Sequence, residues 1–170
     1  GTWNTGGNGF SIVSNCTLNL AGMPIARLLT GAAATCTLTS QLTITQDVQY
    51  SLATGFIFAG AYGFSCTTLT DNATSTARAI TLSAGAEYFV TSSIFLQSGW
   101  NGSKCSILSG TPGTKAKLNI TQSVTQDLAN LNITDIEASN YTLWLYNGTI
   151  TNCTNVRRLN HKQPTITYSS

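Results

Sequence analysis

Alternation of apolar and polar residues is the feature that most limits how this chain can fold. From residue 36 to 52 the even positions are mainly apolar and every odd position is polar, and the same period of two returns in residues 10–20, 116–124 and 141–145. A period of two places one side of a β-strand against a core and the other side toward water. The richness in Thr, Val, Ile, Tyr and Phe agrees with strands. The sequence therefore predicts an all-β protein.

Glycines, prolines and an Asn-Gly pair divide the alternating segments into short strands. Asn147-Gly148, between residues 144–146 and 149–151, predicts a tight β-hairpin. Residues 123–131 are the one segment for which a helical turn or two is expected, and we detect no internal repeat. These signals predict an antiparallel β-sandwich, immunoglobulin-like or pilin-like, with about seven to ten strands.

The composition excludes several classes of protein. Apolar residues make up 42% of the chain, charged residues only 8%, and the net charge is +2. Low charge with many β-branched residues argues against disorder, and so small a net charge predicts neither a nucleic-acid partner nor a membrane partner. The most apolar stretch, residues 52–64, is too short to span a bilayer. Because the chain has only six carboxylates, its stability is expected to change little in acid.

Sequons for N-linked glycosylation, Asn-x-Ser/Thr, are about twice as frequent as the roughly four that random order would give. An N-linked glycan is bulky and belongs on an exported, exposed surface. The sequence therefore predicts an extracellular glycoprotein with N-glycans at Asn15, Asn72, Asn101, Asn119, Asn132, Asn140, Asn147 and Asn152.

The five cysteines fit an oxidising compartment, in which one or two disulfides are expected. Their odd number leaves at least one thiol unpaired within the chain, and spacing does not decide which of them pair. No Cys-x-x-Cys motif is present, so a zinc site is not predicted. The disulfide candidates are Cys16, Cys36, Cys66, Cys105 and Cys153.

The sequence does not predict an enzyme, and it predicts no catalytic residue, metal or cofactor. A catalytic triad or a histidine-based metal site would have to use the single histidine, His161, which lies in a basic, polar stretch. Asp135 and Glu137 would share one side of an extended strand, but surface polarity explains this pair better than glycosidase chemistry. Exposed aromatic residues such as Trp3, Trp100 or Trp144 could stack on sugar, although core packing is their commoner use.

The N-terminal residues differ from the rest of the chain. Residues 1–9 are rich in glycine, and an alternating strand pattern follows them directly. Such an extension can add a strand to the sheet of a neighbouring subunit. We therefore expect residues 1–13 to be a donor strand and residues 14–170 to be one sandwich domain. Residues 10–20 could equally form the first strand of the chain's own fold. The predicted interface residues are Trp3, Phe10, Ile12 and Val13.

The sequon series, the glycine-rich leader with its Phe10–Val13 strand, and the scarcity of carboxylates together resemble the subunits of archaeal thread filaments of thermoacidophiles. Those subunits are glycosylated, pilin-like sandwiches joined head to tail by donor strands. The resemblance implies a structural subunit of a cell-surface filament that serves adhesion or cell contact, with identical subunits and N-linked glycans as its partners.

The alternative is a glycosylated, immunoglobulin-like ectodomain of a receptor or adhesin that binds a protein or a glycan. Residues 131–141, which end at Tyr141, look like the segment that leads into the tyrosine corner of that fold. Two features depart from the pattern. Leu143 stands where the second cysteine is expected, and no tryptophan lies between Cys36 and Cys66.

Overall fold

The computed structural model describes residues 9–31, 33–50, 55–71, 78–97 and 105–159. These residues form short β-strands joined by turns. The strands are β1 (Phe10–Ile12), β2 (Cys16–Leu18), β3 (Leu28–Thr30), β4 (Ala34–Leu38), β5 (Leu42–Thr43), β6 (Asp47–Tyr50), β7 (Phe56–Ala59), β8 (Phe64–Asp71), β9 (Ala79–Leu82), β10 (Glu87–Gln97), β11 (Cys105–Ser109), β12 (Ala116–Ile120), β13 (Thr125–Ala129), β14 (Leu131–Thr134), β15 (Ile136–Ser139), β16 (Leu143–Tyr146), β17 (Thr149–Thr151) and β18 (Val156–Leu159).

Every ladder between these strands is parallel, so the predicted antiparallel β-sandwich is wrong. The strands form an 11-stranded and a 7-stranded sheet. The chain passes from one sheet to the other and returns to pair beside its own preceding turn. This coil of stacked turns is a parallel β-helix. The period of two in the sequence does not distinguish an antiparallel β-sandwich from a parallel β-helix, because in both folds each strand has one side in a core and one in solvent.

Each turn of the coil has three sides. In the larger sheet, the long strand β8 pairs with β5 along its first half and with β6 along its second half. The long strand β10 likewise pairs with β12 and then with β13. The larger sheet is therefore two sides of the coil that meet at a bend. We call them side 1 (β5, β12, β15 and the first halves of β8 and β10) and side 2 (β1, β3, β6, β13, β16, β18 and the second halves of β8 and β10). Side 3 is the smaller sheet.

Inward-facing apolar residues of successive turns stack on one another to make the core. On side 2, Phe10, Leu28, Val48, Leu69 and Ile94 follow one another in register. A second column runs along side 3 and consists of Ala34, Phe56, Ile80, Ile107, Ile133 and Ile150.

An aromatic cluster fills the middle turns. The ring centroids of Phe56 and Phe58 lie 5.0 Å apart, those of Phe58 and Phe64 lie 5.1 Å apart, and those of Phe64 and Tyr88 lie 4.9 Å apart. These separations, with edge-to-face or tilted rings, are the ones that aromatic pairs prefer. The cluster joins side 1 to side 3 across the core.

Left-handed asparagine and aspartate residues turn the chain at the corners of the last turns. Their φ angles lie between 48° and 70°, a region in which Asn and Asp are the least strained side chains after glycine. The Asn147-Gly148 pair is one of these corners, so the predicted hairpin is wrong: β16 and β17 belong to different sheets. Gly148 is required there because a Cβ atom would collide with the carbonyl oxygen of Leu131. The corner residues are Asn130, Asp135, Asn140, Asn147, Asn152 and Asn155.

Two other predicted segments also lie in strands. Phe10 and Ile12 belong to β1, which pairs with β3 of the same chain, and Ile12 is buried in the core. The segment 123–131, for which a helical turn was expected, contains β13 and the start of β14. Within it, Gln126 continues the inward phase of Ile94 and Asp127 the outward phase of Phe95, and both residues line the cleft described next.

Candidate functional site

A cleft opens on side 2, between β13 and β16. These two strands pair at only one position, where Ala129 is in register with Tyr146. Toward their N-terminal ends they separate, and a cavity of about 590 Å³ lies in and above the gap. A cavity of this size lies within the usual range of small-ligand sites, ~300–1,000 Å³. Its lining residues are Phe95, Gln122, Val124, Thr125, Gln126, Asp127, Leu128, Tyr141, Trp144, Tyr146 and Leu159.

The side chain of Gln126 holds the separated strands together. Its Nε2 atom donates a hydrogen bond to the carbonyl oxygen of Thr142 at 3.0 Å, and its Oε1 atom accepts one from the backbone N–H of Trp144 at 2.9 Å. The amide thus replaces the ladder bonds that the two backbones would otherwise make to each other. Because both of its polar atoms are used, Gln126 is fixed in the wall of the cleft and supports Trp144.

Aromatic side chains form much of the cleft's surface. Phe95 is 40% exposed on the outer side of β10 and lines the cleft. Trp144 and Tyr146 are half-buried on β16, and Tyr141 is half-buried in the turn before it. The aromatic rings of the cleft therefore offer a ligand both apolar ring faces and polar ring edges.

Polar groups run through the same surface. Asp127 is in register with Phe95 on the neighbouring turn, and its carboxylate accepts a hydrogen bond from the Gln97 amide. On the next pair of turns, Trp144 is in register with Arg157, whose side chain is exposed. From β10 through β13 and β16 to β18 there are three strand spacings of ~4.8 Å, a length of about 14 Å. The surface is therefore longer than a single sugar ring.

This arrangement suits a ligand that has both apolar faces and many hydroxyl groups. The C–H faces of a sugar ring can lie on aromatic rings, while Asp127, Gln122 and Thr125 of the lining offer acceptors and donors to hydroxyls. Asp127 is the carboxylate among the lining residues. A pair of carboxylates, as glycosidases of the usual kind need, is not part of the cleft lining.

A second polar group lies inside the coil, where β8 ends and β9 begins. Asp71 and Arg78 form an ion pair whose side chains are 1% and 3% exposed. The hydroxyl of Tyr50, which is in register with Asp71, is also buried. Burial raises the pKa of Tyr50 well above its usual value, and Tyr88, Cys66, Cys105 and Asp71 nearby raise it further. The ion pair and the Tyr50 hydroxyl therefore form a buried polar group beside side 2.

The predicted glycosylation sites fall in three kinds of place. Asn15 and Asn140 are exposed, and Asn132 is half-buried on the outer side of side 3. Asn147 and Asn152 are exposed corner residues whose Nδ2 atoms donate hydrogen bonds to the preceding turn, to Asn130 and to Asp135 respectively. The Nδ2 atom of Asn119 is buried on side 1. Asn72 and Asn101 lie outside the described residues.

All five cysteines are described as thiols, and the structure places two of them side by side. Cys16 and Cys36 are register partners in β2 and β4. Burial raises the pKa of Cys66 to about 12 and that of Cys105 to about 12, and it also raises the pKa of Cys153. Within the described ranges, no group of three or more His, Cys, Asp or Glu residues could hold a metal ion.

The acidic pair of residues considered for catalysis is divided by a corner. Asp135 is a buried corner residue whose carboxylate accepts hydrogen bonds from the Gly113 N–H at 3.0 Å and from the Asn152 amide. Glu137 follows on β15, on the outer side, in register with Lys117. The two carboxylates therefore lie in different environments, that of Asp135 at a buried corner and that of Glu137 on the outer side of β15. Trp3, Trp100 and His161 lie outside the described ranges, and Val13 is 66% exposed after β1.

Sequence reasoning missed most of the cleft. Trp144 was considered as a sugar-stacking residue, but Phe95, Gln126 and Asp127 were not. One signal was present for Phe95: it occupies a polar-phase position of the alternation in residues 87–97. Gln126 and Asp127 gave no comparable signal, because Gln126 acts on the strand one turn later and Asp127 on the strand one turn earlier.

The comparisons with known proteins identify no relative. No family model matches the chain, and neither a curated protein nor a solved structure is significantly similar to it. No helix in the described part of the chain is long and apolar enough to cross a membrane.

Proposed function

We propose that this protein is a non-enzymatic, extracellular adhesive glycoprotein whose β-helix binds a short oligosaccharide in the cleft between β13 and β16. The observation that carries the proposal is the cleft itself, with Phe95 and Trp144 as stacking surfaces and Asp127 beside them. The number of sequons supports an extracellular location. Adhesion or cell contact was the role expected from the sequence, and a protein or glycan ligand was expected under its alternative interpretation as a receptor or adhesin.

The rigid wall of the cleft favours binding. Gln126 is held by two hydrogen bonds, and the strands around it belong to continuous sheets. Such a site is largely formed before the ligand arrives, which lowers the entropic cost of binding. Since successive turns repeat the strand spacing, a saccharide chain lying along the coil axis would meet side chains of several turns in order.

The test is a glycan array probed with the purified chain, followed by titration of any glycan that binds. Phe95→Ala and Trp144→Ala should each weaken binding by about 5- to 150-fold, if a sugar ring gains as much from an aromatic face as a stacked nucleic-acid base does, about 1–3 kcal/mol. Phe89→Ala is the matched control. It lies on the same strand, β10, and is similarly exposed at 37%, but it belongs to side 1.

Equal losses in the Phe89 and Phe95 variants would show that the cleft is not the site. Retention of all binding in the Trp144 variant would show the same. If the array shows no glycan ligand while a protein from the natural surroundings binds and the Phe95 variant does not, then the cleft is a protein-binding site and the saccharide proposal is wrong.

A second candidate is the filament subunit, now with a different means of assembly. β1 and β2 lie at one end of the two sheets, and β18 and β17 lie at the other, so each pairs on one side only among the described strands. Unpaired edges can accept a strand from another molecule. End-to-end stacking of identical chains would continue both sheets, without a donor strand from residues 1–13.

Light scattering and negative-stain imaging of the purified chain test this candidate. Filaments should form with concentration, and Thr17→Pro in the edge strand β2 should shorten them, because proline removes a donor from the edge. Thr35→Pro cannot serve as the control, because β4 lies between β2 and β7 and a proline there would disturb the sheet itself. A chain that stays monomeric at all concentrations contradicts the filament role without affecting the saccharide proposal.

A further inference from the structure

Two of the five cysteines lie next to each other on adjacent turns. Cys16 of β2 and Cys36 of β4 are register partners at the N-terminal end of side 3. Cys36 is completely buried and Cys16 is half-buried, with its side chain packed against the core. The next residue in this column is Phe58. Cys66, Cys105 and Cys153 lie in other strands or turns.

The spacing of the pair suits a disulfide. Register partners on neighbouring strands are about 4.8 Å apart, which is inside the range of ~4.4–6.8 Å between the Cα atoms of bonded cysteines. The two side chains also lie close enough to interact, because Cys16 adds to the effect of burial in raising the pKa of the Cys36 thiol. A Cβ separation near the strand spacing is slightly longer than a disulfide prefers, so one strand must shift by a small amount.

β2 is the strand that can make this shift. It has three residues and lies at the edge of its sheet, where β4 is its one partner among the described strands. β4 is held between β2 and β7 and has five residues. A movement of β2 toward β4 therefore disturbs one short ladder, whereas a movement of β4 would disturb the core beneath Phe58.

We propose that Cys16 and Cys36 form a disulfide that fastens the first turn of the β-helix to the second, while Cys66, Cys105 and Cys153 remain thiols. Its formation in the native setting rests on the proposed extracellular location, because disulfides persist in oxidising compartments. The bond would close a loop from residue 16 to residue 36. That loop contains β3, so the bond protects two sides of the coil at the end where strands have neighbours on one side only.

The chemistry is a thiol–disulfide exchange with a small disulfide as the oxidant. The Cys16 thiolate, which is the more accessible, attacks one sulfur of the oxidant, forming a mixed disulfide and releasing one thiol. Cys36 then loses its proton to solvent and attacks the Cys16 sulfur, which releases the second thiol. Two protein thiols are oxidised and one disulfide is reduced. Burial, and then the neighbouring Cys16, raise the pKa of the Cys36 thiol, so the second step should be the slower one.

The experiment treats the reduced full-length chain with oxidised glutathione and digests it with trypsin without reduction. Trypsin cuts after Arg27 and Arg78, so Cys16 lies in peptide 1–27 and Cys36 in peptide 28–78. The two peptides should be joined, with a loss of two hydrogen atoms, and three of the five thiols should still react with iodoacetamide after unfolding. Peptide 28–78 also contains Cys66, so variants are needed to identify the partner.

Cys66→Ser should keep the joined peptides, and Cys36→Ser should lose them. Reduction of the oxidised wild type should lower its melting temperature by about 5–10 °C. This figure combines the stabilisation expected from a disulfide that closes a loop of this size with the usual change in melting temperature per kcal/mol for a chain of this length. Cys16→Ser should not show this drop. Three outcomes would each overturn the proposal. The joined peptides could persist in Cys36→Ser, all five thiols could remain reactive after oxidation, or glutathione could stay attached to Cys16. None of these readouts depends on glycan binding, so the proposed function is tested separately.

Discussion

The Nδ2 atom of Asn147 donates a hydrogen bond to the Oδ1 atom of Asn130, one turn earlier in the coil, at 2.6 Å. Both residues have left-handed φ angles, 48° and 57°. The corner of one turn is therefore built directly on the corner of the turn before it. Asn152 on Asp135 repeats the relationship at the next corner. These contacts fix where each strand starts and so set the register of the sheets.

Asn147→Ala should lower the free energy of unfolding by about 1.5–3.5 kcal/mol. The left-handed backbone costs an alanine ~1–2 kcal/mol, and the lost hydrogen bond contributes ~0.5–1.5 kcal/mol. Urea denaturation measures the change. Asn132→Ala is the control, because Asn132 is also a sequon residue but lies in β14 with extended backbone; its effect should stay within about 0.5 kcal/mol. Equal effects would mean that the corner contact contributes nothing measurable.

These corners also show which features of the fold can be predicted from the sequence and which cannot. Alternation in residues 36–52 located β4, β5 and β6 and their inward residues, because the period of two holds in any half-buried sheet. Whether a strand pairs with a parallel or an antiparallel neighbour is not written in that period. The Asn147-Gly148 pair favours a left-handed turn in both cases, and only the course of the chain after it distinguishes a hairpin from a corner.

A repeat was present but irregular. Asn130, Asp135 and Asn140 correspond to Asn147, Asn152 and Asn155, and Ile133-Thr134 corresponds to Ile150-Thr151. The earlier turns carry longer connections, such as residues 98–104 between β10 and β11, so no single period covers the chain. The cleft was beyond prediction for the same reason: Phe95, Asp127 and Trp144 become neighbours only once the number of residues in each turn is known.

Occupancy of the sequons should differ between sites. The Nδ2 atom of Asn119 is buried, so a folded chain has no room for a glycan there, and molecules that carry one should be absent from the secreted, folded fraction. Exposed Asn15 and Asn140 should carry glycans. Glycopeptide mass spectrometry of the protein secreted by a glycosylating host measures each site. High occupancy at Asn119 in folded material would contradict the orientation of that side chain on side 1.

The ion pair inside the coil should matter far more than the one on its surface. Asp71→Asn leaves the Arg78 guanidinium in the interior without its carboxylate partner and should cost about 3–5 kcal/mol. Glu87→Gln breaks the exposed pair with Lys117, whose atoms are 3.3 Å apart, and should change stability by less than about 1 kcal/mol. Urea unfolding of both variants checks the difference. Similar small losses would show that water reaches Asp71.

Stability should be lost in alkali rather than in acid. Burial raises the pKa of Cys66 from 9.0 to about 12, and it raises the pKa of Cys105 by a similar amount. A raised pKa means that the folded state keeps a proton that the unfolded state releases. The contribution is therefore complete below about pH 9 and falls as the pH rises from 9 to 12, by up to about 1.4 kcal/mol per pH unit for each thiol.

Urea unfolding of the reduced protein between pH 3 and pH 11, with a reductant present, measures this dependence. We expect a steep fall above pH 9 and a smaller change through the acid range, where only six carboxylates can take up a proton. Cys66→Ala should lower the stability below about pH 9 and make the alkaline fall shallower. Val90→Ala is the control, since Val90 is a buried register partner of Cys66 and has no proton to lose. An identical alkaline slope in the two variants would show that the Cys66 thiol ionises in the folded protein as readily as in the unfolded chain.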